Sequence, residues 1–192
     1  MIKIIPPGQF KTIEWKNGKG QTVELAINDG GSLDAFDWRL SMAKVVENGF
    51  FSDFTGYQRH LILIEGDALT LQHDKARTHQ LTDLLSFAAF DGANITHGIL
   101  PGGSITDFNV ITSTDKYQTR VSTYLQHTSV RIESGHLCFV YGVNSALLLT
   151  MDTQTSPQPV KVAKGHLLML EDEDEAFTIS GSEMIIVQLD KR

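Results

Sequence analysis

The sequence predicts an all-β protein made of two similar halves, and three observations carry that prediction. Short runs rich in branched and aromatic residues recur along the chain. Turn residues, mostly Gly and Asn, close most of them. One order of strands and turns then occurs twice.

In chain order the runs are Val23–Ile27, Trp38–Val46, His60–Glu65, Ala68–Gln72, Leu137–Tyr141, Ala146–Met151 and Met184–Leu189. Turns are expected at Asn28-Asp29-Gly30-Gly31, Asn48-Gly49, Glu65-Gly66-Asp67, Ser134-Gly135 and Ser180-Gly181-Ser182. The window Arg77–Ala89 is long enough for a helix. It carries adjacent Leu84 and Leu85 and no clean helical stripe, so it reads as loop and strand.

The internal repeat matches His60–Leu71, Leu85–Asp91 and Gly103–Ile111 with Ser129–Val140, His166–Asp172 and Gly181–Leu189. Each set runs strand, Gly turn, strand, long connection, an apolar strand ending in acid, Gly-Ser and a final strand. Two barrels of like topology give this order; generic similarity between β-strands is the alternative. The halves are placed at 1–112 and 113–192, packed as one compact unit, with the candidate pocket in the first.

A chain of 192 residues suffices for one large domain or two small fused ones with a sizeable core. The hydrophobic share of 41% and charged share of 20% are those of a soluble globular protein. A net charge of -7 with no basic stripe argues against nucleic acid as a partner. The acidic cluster Glu171–Glu175 reads as a solvated turn. Lone Cys138 lies within an apolar run and reads as a buried core thiol in a reducing compartment. The opening residues Met1–Pro7 are too short for a signal segment, and no window is apolar enough for a membrane span. A cytoplasmic protein with no membrane partner is expected.

Alternation along a strand puts residues two apart on one face. In Trp38–Ala43 this groups Arg39, Ser41 and Ala43 against Trp38, Leu40 and Met42. Thr22 and Glu24 share a face by the same rule, as do Asp107 and Asn109. With Arg59, these groups read as the lining of a cavity for a small polar ligand, or as ordinary solvent faces of antiparallel strands. Arg39 and Arg59 offer planar forks suited to a carboxylate, and Asn17, in the Gly18-Lys19-Gly20 turn, offers amide donors. The alternative is that Arg39 or Arg59 pairs with Glu24 or Asp107 inside the barrel.

Other chemistry finds less support. The seven histidines include no His-x-His pair of the kind small β-barrels use for metals, so no metal and no cofactor are expected. His73 and His79 flank a polar loop and read as surface residues. There is no Gly-x-Ser-x-Gly elbow, and Cys138 is mid-strand. No catalytic residue is singled out, although Glu24 or Asp107 are available as a base.

Three strings carry a resemblance: Trp15-Lys-Asn-Gly-Lys-Gly20 with Thr22–Ala26, Trp38–Val45, and Gly49-Phe-Phe-Ser-Asp-Phe-Thr-Gly-Tyr-Gln-Arg59. With Leu61–Gly66 and Asp107–Ile111, they resemble the HutD/Ves family. The resemblance implies a cupin-like (RmlC-like) double barrel, two jelly-roll halves in one chain. It implies a link to bacterial histidine utilisation, as a sensor or limiter, or to stress responses. It also implies Trp15, Asn17, Thr22, Arg39, Ser41, Arg59, Asp107 and Asn109 as pocket positions; Glu24 joins the candidates from strand alternation with Thr22. The expected function is therefore binding of a small carboxylate metabolite in a regulatory or sensing role. A cofactor-independent isomerase or lyase acting on a sugar or organic acid, and a structural protein with a closed barrel, are the alternatives. A homodimer through an edge strand such as Ala146–Met151 is a further expectation.

Overall fold

The fold is that of a computed structural model describing residues 1–15, 20–74, 77–133, 137–152, 158–171, 173 and 175–192. Asn17 with Gly18 and Lys19, Lys75 and Ala76, the Ser134-Gly135 turn, His136, and Asp172 and Asp174 of the acidic cluster lie outside the described residues.

The first strands are β1 (Ile2–Ile5), β2 (Lys11–Glu14), β3 (Gln21–Ile27), β4 (Trp38–Val45), β5 (Gly49–Phe50) and β6 (Tyr57–Glu65). Next come β7 (Leu69–His73), β8 (Arg77–Leu81), β9 (Phe87–Asp91), β10 (Thr96–Ile99), β11 (Ile105–Ser113) and β12 (Tyr117–Tyr124). The remainder are β13 (Thr128–Ile132), β14 (Leu137–Gly142), β15 (Leu147–Met151), β16 (Val160–Val162), β17 (Leu167–Leu170), β18 (Phe177–Gly181) and β19 (Met184–Lys191). The Arg77–Ala89 window is strand, turn and strand, as its broken periodicity predicts. Leu85 within it has a φ of 67°, a left-handed turn conformation incompatible with a helix.

Two compact units form. One is Phe10–Tyr117; the other is Met1–Gln9 with Gln118–Arg192. The sequence boundary had placed residues 1–9 in the first half. Their strand β1 instead pairs antiparallel with β17, from Ile2 opposite Leu170 to Ile5 opposite Leu167. A strand of four residues gives no local sign of which distant partner it will take.

In Phe10–Tyr117, a six-stranded sheet (β2-β3-β4-β11-β6-β9) faces a four-stranded sheet (β5-β10-β7-β8). Val45, Leu61, Leu63, Ala88, Phe90 and Ile105 from the first sheet pack with Leu69, Leu71 and Leu81 from the second. In the other unit, β1-β17-β14-β19-β12 faces β13-β18-β15-β16. Its core is apolar across both sheets, from Ile132, Cys138 and Val140 to Phe177, Met184 and Ile186.

Strands β4-β11-β6-β9 and β5-β10-β7-β8 reappear in the same order as β12-β19-β14-β17 and β13-β18-β15-β16. Each strand corresponds to the one eight places later, so the repeat is an eight-strand two-sheet pattern. Two of the three sequence matches fall on corresponding strands, β9 with β17 and β11 with β19. The third is out by one: His60–Leu71 spans β6 and β7, which correspond to β14 and β15, not to β13 and β14. Strand β15 also lies between β16 and β18. The segment expected as an edge strand, Ala146–Met151, is therefore an inner strand, paired on both sides at Leu148 and Leu149. Among the described residues, no helix is long and apolar enough to cross a membrane.

Candidate functional site

The polar residues picked out by alternation meet on the inward face of the six-stranded sheet. Register does this. Thr22 lies opposite Ala43 and Glu24 opposite Ser41, while Asp107, Asn109 and Ile111 lie opposite Ala43, Ser41 and Arg39. Ile111 is also opposite Arg59 on the far side of β11. Opposed residues share a face, so four strands carry one polar patch. The β3 register slips between Glu24 and Ala26, which lets Leu25 turn into the core while Glu24 keeps its aim at β4.

A cleft of about 740 Å³ opens over this patch. Trp15, Thr22, Arg39, Ser41, Arg59 and Asn109 line it, together with Phe50, Phe51 and Phe54 and the acidic Glu14, Glu47 and Asp53. Trp15 Nε1 donates to Thr22 Oγ1 at 2.9 Å, fixing the indole against the sheet. Glu24 and Asp107 do not line the cleft. Asn17, also expected there, lies outside the described residues.

The two arginines differ in state. Arg39 Nε donates to Glu24 Oε2 at 2.7 Å, the internal pairing weighed from the sequence. Its two Nη groups make no hydrogen bond among the described residues. Arg59 forms no ion pair among the described residues. Its Nη2 donates to Asn109 Oδ1 at 3.0 Å and its Nη1 to the Ser52 carbonyl at 3.3 Å, and its Nε has no partner. The rings of Phe51, Phe54 and Phe90 surround the guanidinium, 5.2–5.4 Å from its carbon. Burial lowers the Arg59 pKa to about 10, against the pull of Asp107, so it remains a cation at neutral pH.

Asn109 completes the arrangement by donating from Nδ2 to Asp107 Oδ1. Asp107 is fully buried, and its Oδ2 has no hydrogen-bond partner. Burial pushes its carboxyl up to about 7, opposed by Arg59 and by the Asn109 amide. A cation in an apolar cage, with neutral acceptors on two sides and an open cleft in front, is an anion-holding arrangement.

Sequence reasoning missed the aromatic cage. Phe51 and Phe54 lie between strands, held by Phe51 N to Thr96 O and Phe54 N to Gly92 O, each 2.9 Å. No periodicity marks such residues; their only signal is aromatic spacing ahead of Arg59. The histidines need correction too. His73 is buried, not on the surface, because Leu69, Leu71 and His73 share the inward face of β7. Its Nε2 and His79 Nδ1 are 2.9 Å apart, its Nδ1 is 2.8 Å from Thr96 Oγ1, and its ring packs on Phe90. Among the described residues, no group of three or more His, Cys, Asp or Glu side chains could hold a metal ion.

A sequence profile of the HutD family matches residues 8–187. An uncharacterised 21.2 kDa protein of the hutC 3' region of Pseudomonas putida is 33% identical over 174 residues, covering 91% of this chain and 89% of that one. Protein Ves of Escherichia fergusonii is 34% identical over 108 residues, 56% of each chain. The structure of HutD from Pseudomonas fluorescens, solved in a formate condition, superposes with a TM-score of 0.83 at 26% identity, covering 100% of both chains. The bacterial pirin YhhW of Escherichia coli, in complex with nickel(II), aligns with a TM-score of 0.66 at 10% identity over 98% of each chain, a likeness of cupin-like fold alone.

Proposed function

The chain belongs to the HutD family, and from that premise we propose that it binds a small carboxylate in the cleft of its Phe10–Tyr117 unit and acts as a metabolite sensor. The observation that supports this reading is Arg59: a buried cation, free of ion pairs among the described residues, facing an open cleft. Such a charge is costly to bury alone, and an incoming carboxylate offsets that cost. The Nη groups of Arg39, unbonded among the described residues, and the Ser41 hydroxyl also line the cleft as further donors. The relative from a hutC 3' region and the HutD solved in a formate condition support looking among acids linked to histidine breakdown.

The test is a thermal-shift screen with formate, urocanate, formylglutamate, histidine, simple sugars and divalent metals. A ligand near 100 times its Kd adds about 2.7 kcal/mol, which raises the midpoint by roughly 5–10 °C at this size. A shift with one of the acids, absent in Arg59→Ala, is expected. Shifts from sugars or metals alone would overturn the carboxylate reading.

An enzymatic role for the same cleft draws on Asp107, whose raised pKa suits a general base. Asp107 does not line the cleft, and Asn109 stands between it and Arg59, so binding is the better-supported reading.

A further inference from the structure

Arg59 and Asp107 make no direct ion pair. Asn109 links them, its Oδ1 held by Arg59 and its Nδ2 given to Asp107. The amide orientation is thereby fixed, and Asp107 stays out of the cleft while within electrostatic reach of Arg59. We propose that Asp107 sets the charge of the anion site without touching the ligand: a bound carboxylate and an ionised Asp107 compete for one guanidinium, so binding draws a proton onto Asp107. This rests on the reading of the cleft as a carboxylate site, and makes Asp107 its positioning and tuning residue.

Among the described residues, Asp107 is the carboxyl beside Arg59 that burial carries into the neutral range. On β6 the inward charge is Arg59 itself. On β4 and β3 it is Arg39, already joined to Glu24. On β7 and β8 the titratable groups are His73, His79 and Arg77. Burial, then His79, lowers the His73 pKa below its ordinary 6.5, so its charging belongs to more acidic solution. Burial holds the Asp107 carboxyl near 7, which puts the exchange in the neutral range. With Asp107 protonated, the full field of Arg59 is available to a ligand. As pH rises and Asp107 ionises, part of that field is taken.

Formate is the probe, since it stays ionised throughout the neutral range. Its affinity is measured by calorimetry at pH 6.5, 7.5 and 8.5, on the wild type and on Asp107→Asn. Wild-type affinity is expected to fall roughly three- to tenfold per unit above pH 7. Asp107→Asn, locked neutral, is expected to keep the pH 6.5 affinity at pH 8.5. A merely structural Asp107 would weaken binding at every pH in the variant, and that result overturns the proposal. Wild-type titrations at pH 7.5 in two buffers of different ionisation heat should show uptake of a substantial fraction of a proton. Zero uptake, or a flat wild-type profile, overturns this proposal alone and leaves the carboxylate site standing. No formate binding at any pH overturns the carboxylate site itself.

Discussion

Arg39 Nε donates to Glu24 Oε2 at 2.7 Å, and the two side chains are only 8% and 11% exposed. The pair ties β4 to β3 just before the register slip, where Glu24 still shares the inward face with Thr22. Removing one partner strands the other charge in a poorly hydrated place. Arg39→Ala should therefore lower stability by about 3 kcal/mol, read from urea denaturation at neutral pH. Arg39→Lys should not restore it, because an ammonium lacks the Nε donor of the planar fork. A loss below about 1 kcal/mol would class the pair with exposed ion pairs.

Arg59 has the opposite role. Among the described residues it has no ion pair, so its removal should affect ligand binding more than folding. Replacing it with Ala should weaken carboxylate binding by about 2–5 kcal/mol, as for a desolvated charge pair. Arg39→Ala should reduce the same affinity less. Equal losses in the two variants, measured by calorimetry, would mean that both guanidinium groups grip the ligand.

What the sequence made legible followed from alternation. Arg39, Ser41 and Ala43 share a face, as do Asp107 and Asn109, and antiparallel register brings those faces together. The partner of Arg39 was one of two acids weighed, and Glu24 is the one found. Features set by distant pairing were illegible. The repeat slipped by one strand because the sequence carries a glycine between two apolar runs both at β6–β7 and at β13–β14, so local pattern cannot tell the sheets apart. His73 looked exposed because it abuts Asp74 and Lys75, yet the Leu69-Leu71-His73 alternation carries it inward. Phe51 and Phe54 sit in irregular chain, where periodicity carries no information.

Two buried groups give stability opposite slopes with pH. Burial raises the folded Asp107 pKa from 3.8 to about 7, so the folded state holds the extra proton and stability falls as pH rises between those values. Burial lowers the folded His60 pKa from 6.5 to about 4, so the unfolded state holds the extra proton and stability rises across that window. The two largely offset between pH 4 and 6.5. Asp107→Asn removes the falling slope, so from pH 4 to 6.5 its stability should climb by a few kcal/mol more than that of the wild type. Denaturation midpoints across that range check it; parallel profiles would mean that Asp107 titrates normally.

Burial pushes the Cys138 thiol up to about 12. At pH 8 roughly one molecule in ten thousand carries the thiolate, and Cys138 belongs to the same buried core cluster as Val140, Leu168 and Leu170. A disulfide reagent at pH 8 should label native protein only at the rate of unfolding and label it at once in denaturant. Fast labelling of native protein would place Cys138 at an accessible, activated position instead.

Gly92 holds the cage segment in place. Its N donates to Tyr57 O at 2.8 Å, and Phe54 N donates to its carbonyl at 2.9 Å. A Cβ here would lie 2.2 Å from Phe54 O and 2.8 Å from Tyr57 O, contacts with backbone that no rotamer change relieves. Gly92→Ala must therefore displace the turn that carries Ser52 and Phe54 to Arg59. The overpacking should cost about 1–3 kcal/mol, and because the turn supplies both a hydrogen-bond acceptor and a ring to Arg59, carboxylate affinity should fall as well. A variant losing stability but binding as tightly as the wild type would show that Asn109 alone suffices to position Arg59.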